Sequence, residues 1–303
     1  MSASKVNVIY SLKHTRTAKW ISNSIFVEVA NEAFSPGLPF QYRLMRFLSR
    51  SNHLRNAAIR YQLRNRNQPI KSIPKTAFNS LSVQDTVNEL NEKGFATGIV
   101  LPPDYLTEIL AFCAGATFID DNNKEPLRIG EQDEANPRIG GLTYRCANPH
   151  KQCETVDKLT RDPSIVAVAR GYLGTEPILR SSRIFWSYPD LSEAYNPVYG
   201  FHYDIDDYKF LKLFFYLRDV DRDTGPHVII EGTHKKKDWF EKNHRRLTDP
   251  QADKRYGDRI RVMTGSAGEG FFEDTFCYHK GTKPRKRRLI LEFQYAISKA
   301  AIL

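Results

Sequence analysis

Residues 201–235, FHYDIDDYKFLKLFFYLRDVDRDTGPHVIIEGTHK, decide how this chain is read. The opening places His202 and Asp204 two residues apart. On a β-strand, residues i and i+2 project from one face, so this imidazole and this carboxylate converge. A strand candidate, Lys209–Leu217, follows; then come the turn Asp223-Thr-Gly-Pro and a second strand candidate, His227–Ile230. A further imidazole, His279, can complete a set of two His and one carboxylate. That donor set holds Fe(II) on one face and leaves the opposite face open for a cosubstrate and O2.

Outward from this stretch, the C-terminal half offers more short aromatic strands. They are Ile178–Tyr188, Arg259–Thr264, Gly270–Glu273 and 287–296, with a turn at Ala267-Gly-Glu-Gly. Many short strands separated by Gly and Pro turns predict a sandwich or barrel, here a jelly roll with flanking helices. Upstream, Ser82 starts a helix reaching Lys93, Gly94 ends it, and Phe95–Leu101 reads as a strand. Pro102-Pro103 opens a helix through Ala114. Residues 117–153 read as loop-rich, and Cys153–Leu173 as a helix interrupted at Asp162-Pro163.

The chain has 303 residues and a net charge of +10, which favours anionic partners without naming one. No run approaches the ~20 apolar residues of a membrane span, and no signal peptide is evident. Cys113, Cys146, Cys153 and Cys277 form no CxxC pair and read as reduced thiols of a cytoplasmic protein. The basic excess concentrates between residues 33 and 84, which hold Arg43, Arg46 and Arg50 among nine Arg and Lys and no Asp or Glu. Phe40, Leu44, Phe47, Leu48, Leu54, Ala58 and Tyr61 recur there at helical spacing. One or two basic amphipathic helices are expected over about 39–66, and a linker over 68–82. The arginines would form a solvated face, or a surface for an anionic substrate, a carrier or a membrane; no nucleic-acid motif accompanies them. The division expected is a basic N-terminal extension over 1–80 and a barrel domain over 81–303.

The run 201–235, GSAGEGFFEDTFCYHKG, the strand RRLILEFQY and the upstream LNEKGFATGIVLPPDYLTEIL together resemble the phytanoyl-CoA dioxygenase family. The resemblance covers about residues 82–296. It implies a double-stranded β-helix and an Fe(II)- and 2-oxoglutarate-dependent oxygenase that hydroxylates a small molecule, releasing succinate and CO2. It also implies His202, Asp204 and His279 as the metal ligands, ahead of His227, His234 and His244, the last of which lies in a charged insertion, Lys235–Arg259, that reads as solvated. Asp206 shares a strand face with Asp204, and the family pattern favours Asp204. The family places an Arg at the start of the last core strand for the distal carboxylate of 2-oxoglutarate, where a planar guanidinium forms two parallel hydrogen bonds. Of Arg285, Arg287 and Arg288, Arg287 matches best, which puts Leu289 and Leu291 on the inner face. Arg183 and Ser181, on one face of the strand 178–188, are further candidates for cosubstrate contact. Halogenating relatives carry a small residue in place of the ligand carboxylate; retention of Asp204 points to hydroxylation or a related oxidation. A reading from another class is a non-catalytic cupin-like binding or scaffold protein acting through the basic segment.

Overall fold

The computed structural model describes residues 39–64, 75–120, 126–129, 143–189 and 199–298. In chain order the helices are α1 (Phe40–Ser49), α2 (Asn52–Leu63), α3 (Val83–Lys93), α4 (Pro103–Gly115), α5 (Glu154–Thr160), α6 (Pro163–Leu173), α7 (Trp239–Asn243) and α8 (Asp249–Tyr256). The first strands are β1 (Phe95–Val100), β2 (Thr117–Asp120), β3 (Pro126–Arg128), β4 (Thr143–Ala147), β5 (Ile178–Ser187), β6 (Phe201–His202) and β7 (Phe210–Tyr216). The rest are β8 (His227–Ile230), β9 (Arg246–Leu247), β10 (Ile260–Met263), β11 (Glu269–Glu273), β12 (His279–Gly281) and β13 (Arg288–Ala296).

Two antiparallel sheets result. The larger runs β1-β11-β7-β13-β5-β4-β2-β3 and the smaller β10-β8-β12-β6-β9. Local chemistry sets the ends of the covering helices. Ser82 caps α3 by accepting from Asp85 N, and Gly94 stops it at φ 87°. Asp162 caps α6 by accepting from Ser164 N and Ile165 N, with Pro163 at the first helical position.

The central strands β7 and β13 are buried on both faces. Leu211, Leu213 and Phe215 of β7, with Leu289, Leu291 and Phe293 of β13, join the main apolar core with Val87 and Leu90 of α3 and Val168 of α6. Their alternate residues turn the other way: Phe214, Tyr216 and Ile290 form a small second cluster, accompanied by the buried charged groups Lys212, Arg288 and Glu292. The barrel therefore has an apolar outer wall under the helices and a charged interior.

Three expectations need correction. The region 117–153 is not simply loop: β2, β3 and β4 extend the large sheet through pairs such as Ile119↔Arg145 and Tyr144↔Trp186. The charged stretch 235–259 is not simply solvated, since it forms α7, β9 and α8 and buries Lys237, Leu247 and Tyr256. The N-terminal helices dock by a mixed face: Leu48 and Ala58 pack against the core as expected, but so do arginines. Tyr42 and Met45 enter the core, while Phe40, Leu44 and Phe47 are exposed. Arg50 and Arg55 are buried, and Arg46 donates to Ile205 O at 3.1 Å. Arg55 donates to Tyr208 O at 2.7 Å and lies 3.8 Å from the centre of the Phe276 ring. Arg46 and Arg55 turn inward because the loop after β6 presents the carbonyls of Ile205 and Tyr208, which their guanidinium donors satisfy. Residues 1–38 and 65–74 of the basic segment and linker lie outside the described residues.

Candidate metal centre

β6 and β12 are short neighbouring strands in which His202 lies directly opposite His279. Asp204 leaves β6 in an extended loop, where its N–H donates to Thr275 O. The two imidazoles and the carboxylate thereby meet at one place, each offering one atom, with all three atoms within 4.8 Å of one another. His202 Nε2 is 3.8 Å from Asp204 Oδ1, and His279 Nε2 is 3.6 Å from Asp204 Oδ2. Each ring is oriented by its other nitrogen: His202 Nδ1–H donates to Gly200 O and His279 Nδ1–H to Cys277 O, both at 3.0 Å. That tautomer leaves both Nε2 lone pairs free and aimed at the common point.

The charges suit a cation. Burial lowers the pKa of His202, and that of His279 to about 4, so both rings are neutral near pH 7. Burial alone would raise Asp204, but Lys212, His279 and His202 outweigh it and hold the carboxyl well below its usual range. Lys212 Nζ donates to Asp204 Oδ2 at 2.8 Å and lies 3.4 Å from Asp206 Oδ2.

The triad opens onto a cavity of about 250 Å³ between the sheets, lined also by Phe185, Ser187, Phe214, His227 and Arg288. Arg288 is buried, donates to Gly225 O, and lies 3.4 Å from Ser187 Oγ. Among the described residues no carboxylate pairs with it, and its Nε has no hydrogen-bond partner. Burial lowers its pKa, as for any cation held away from water without a counter-charge.

Arg287, the expected anchor, is on the other side of the strand. Its guanidinium lies 5.1 Å from the Trp186 ring centre and lines a separate cavity with Arg218 and Asp219. Cross-strand partners share a face, and the pairs Arg288↔Ser187, Ile290↔Phe185 and Glu292↔Arg183 put the even-numbered residues of β13 inward. Arg183 reaches the cavity edge but is engaged by Glu292, to which its Nε donates at 3.1 Å. Ser181 lines a neighbouring cavity of about 260 Å³ with Tyr42, Arg180, Asp206 and Gln294, not the one at the triad.

The other histidines do not join the triad. His234 sits 3.4 Å from Cys277 Sγ. His244 Nδ1 donates to Phe240 O, with its ring stacked on Phe240. His227 lines the cavity, stacks on His279 with centroids 5.4 Å apart, and lies 2.7 Å from Glu273 Oε2. Burial brings His227 down to about 3 and Glu273 up to about 8, which disfavours the charged form of each.

Sequence reasoning weighed Arg288 and preferred Arg287, and it passed over Lys212, Glu292 and Glu273. The signal was present: single charged residues inside FLKLFFY and LILEFQY, strands otherwise apolar enough to be buried on both faces. A charge in such a strand must meet a partner or a ligand.

No family model matches this chain, and no curated protein does. Solved structures do. HygX from Streptomyces hygroscopicus, with nickel, 2-oxoglutarate and hygromycin B bound, aligns with 71% of this chain and 87% of its own at 14% identity, with a TM-score of 0.50. The non-heme alpha ketoglutarate dependent epimerase SnoN from nogalamycin biosynthesis aligns over 70% of this chain and 80% of its own at 18% identity, TM-score 0.49. EctD from S. alaskensis with bound Fe aligns over 76% and 82% at 16% identity, TM-score 0.48. The likeness to HygX shows the fold, the double-stranded β-helix expected from the sequence.

Proposed function

We propose that this protein is an Fe(II)- and 2-oxoglutarate-dependent oxygenase of the phytanoyl-CoA dioxygenase type, acting on a C–H bond of a small molecule. The observation that carries this reading is the pairing of an open three-donor site with a buried, uncompensated guanidinium in one cavity. HygX, which shares the fold, has been solved with a metal, 2-oxoglutarate and a small molecule together.

His202, Asp204 and His279 would hold the iron through two neutral imidazoles and one carboxylate. Iron with 2-oxoglutarate and O2 supplies the oxidising chemistry, forming succinate and CO2. The chain's own residues bind and orient. Arg288 would receive the distal carboxylate of 2-oxoglutarate, and its anchored Nη groups fix the plane of the guanidinium. Phe185 and Phe214 keep that end of the cavity apolar, which strengthens the charge pair. The neighbouring cavity at Ser181, Asp206 and Gln294 meets this one at Arg183 and offers room for the primary substrate.

Succinate formation tests the reading. Anaerobically reconstituted protein, exposed to air with 2-oxoglutarate, is expected to release succinate even without the primary substrate, and His279→Ala is expected to abolish it. Equal turnover by wild type and His279→Ala would remove His279 from the metal site. Among the described residues no helix is long and apolar enough to cross a membrane. Attraction of an anionic substrate, carrier or membrane surface would fall to Arg60 and Arg64, which are exposed. Reversing both to Glu, with substrate kinetics read across a salt series, tests that role; unchanged kinetics would exclude it.

A further inference from the structure

Lys212 occupies a position that the metal-centre reading leaves without a task. It sits in the middle of β7 between Leu211 and Leu213, is 7% exposed, and points into the barrel with Phe214. A lysine so placed is costly unless its charge is met. Three carboxylates meet it. Asp204 Oδ2 accepts from its ammonium at 2.8 Å, and Asp206 Oδ2 lies at 3.4 Å. Glu292 adds a longer-range attraction, tempered by Arg183, which is itself bound to Glu292. Together these carboxylates meet the charge of the Lys212 ammonium inside the barrel.

The consequence falls on Asp204. Its two oxygens are not equivalent: Oδ2, 3.6 Å from His279 Nε2, also accepts from Lys212, while Oδ1, 3.8 Å from His202 Nε2, accepts from no side chain among the described residues. Among the described residues, Lys212 is the side chain that hydrogen-bonds this carboxylate. Asp206, two residues on, is tethered through one oxygen: Gln294 Nε2 donates to its Oδ2 at 3.1 Å, and Lys212 Nζ lies 3.4 Å from the same atom.

We propose that Lys212 is a positioning residue for the metal centre: it holds one oxygen of Asp204, presents the other as a single-oxygen ligand, and keeps Asp206 out of the coordination sphere. The proposal rests on the metal-centre reading above. Groups that orient a ligating carboxylate commonly change metal affinity about 10–100-fold when removed.

Nickel, a redox-inert stand-in for Fe(II), provides a test independent of turnover. Chelator-stripped wild type, Lys212→Met and Lys212→Gln are titrated with Ni(II) by calorimetry, and Co(II) absorption spectra are recorded for each. Wild type is expected to bind one Ni(II) per chain. Lys212→Met, isosteric but without donor or charge, is expected to bind at least about tenfold more weakly, with an altered Co(II) d–d spectrum as Asp204 turns or Asp206 enters. Lys212→Gln, which still donates, is expected to lose less. A lysine needed only for folding would lower the melting temperature of the metal-free protein and leave affinity and spectrum unchanged. Lys212→Met binding Ni(II) as tightly as wild type, or more tightly, would overturn the proposal. If circular dichroism shows that variant unfolded, the Gln variant decides, and wild-type affinity and spectrum there would overturn it equally. Failure of the wild type itself to bind Ni(II) would instead remove the metal centre, and this inference with it.

Discussion

Arg288 shows how much one residue's direction matters. A guanidinium buried with no carboxylate partner among the described residues waits for an anion, and the cavity it faces contains the three metal donors. Arg288→Ala is expected to raise the 2-oxoglutarate concentration for half-maximal succinate formation by about tenfold or more, since each hydrogen bond to a charged group contributes about 1.5–3 kcal/mol. Arg287→Ala is expected to change it little, because Arg287 packs on Trp186 outside that cavity. The reverse pattern, measured by steady-state kinetics, would mean that β13 is shifted by one residue. His202, Asp204 and His279 were legible in the sequence because a two-residue spacing on a strand fixes a common face. The choice between Arg287 and Arg288 was not. Hydrophobicity marks the inner face only when the outer face is wet, and β13 is buried on both sides. Its more apolar face, with Leu289 and Leu291, belongs to the core under the helices.

At the scale of elements, the long pieces were legible and the short ones were not. α3, α4, α6, β5, β7, β8 and β13 carry clear caps, prolines or apolar runs. β6, β9 and β12 are two or three residues long, too short for any period, and owe their existence to neighbours. The turn from α3 into β1 makes a testable joint. Gly94 has φ 87°, and a Cβ there would lie 2.4 Å from Cys277 Sγ and 2.6 Å from His234 Nδ1. Gly94→Ala combines left-handed backbone strain with overpacking and is expected to destabilise the fold by about 2–5 kcal/mol. Denaturant unfolding measures this, and a loss below about 0.5 kcal/mol would mean that the junction relaxes freely. The inward arginines of α1 and α2 have a parallel origin. Arginine reads as a surface residue in a helical pattern, but here Arg46 and Arg55 satisfy carbonyls of the loop that follows the metal ligands. No sequence period reports a demand made by backbone atoms more than 150 residues away.

For the whole molecule, the charged interior couples stability to pH. Burial pushes Glu273 up to about 8, against the pull of His279 and Lys212, whereas its ordinary value is 4.5. Between those values the folded chain keeps a proton that the unfolded chain has released. Its contribution is therefore fully present below about pH 4.5 and is lost as pH rises through about 8. His279 acts in the opposite sense. Its folded value near 4 lies below its ordinary 6.5, so its effect is a loss of stability as pH falls through that window. In chelator-stripped protein, Glu273→Gln is expected to flatten the decline in melting temperature between pH 5 and 8. An unchanged slope would mean that Glu273 is ionised and paired with His227. The central claim, that one cavity binds Fe(II) through His202, Asp204 and His279 and 2-oxoglutarate beside it, is tested most directly by an anaerobic optical titration. Adding 2-oxoglutarate to Fe(II)-loaded wild type is expected to produce a weak visible charge-transfer band that saturates at one equivalent per chain and is absent in Asp204→Ala. No band in the wild type, or the same band in Asp204→Ala, would contradict the account.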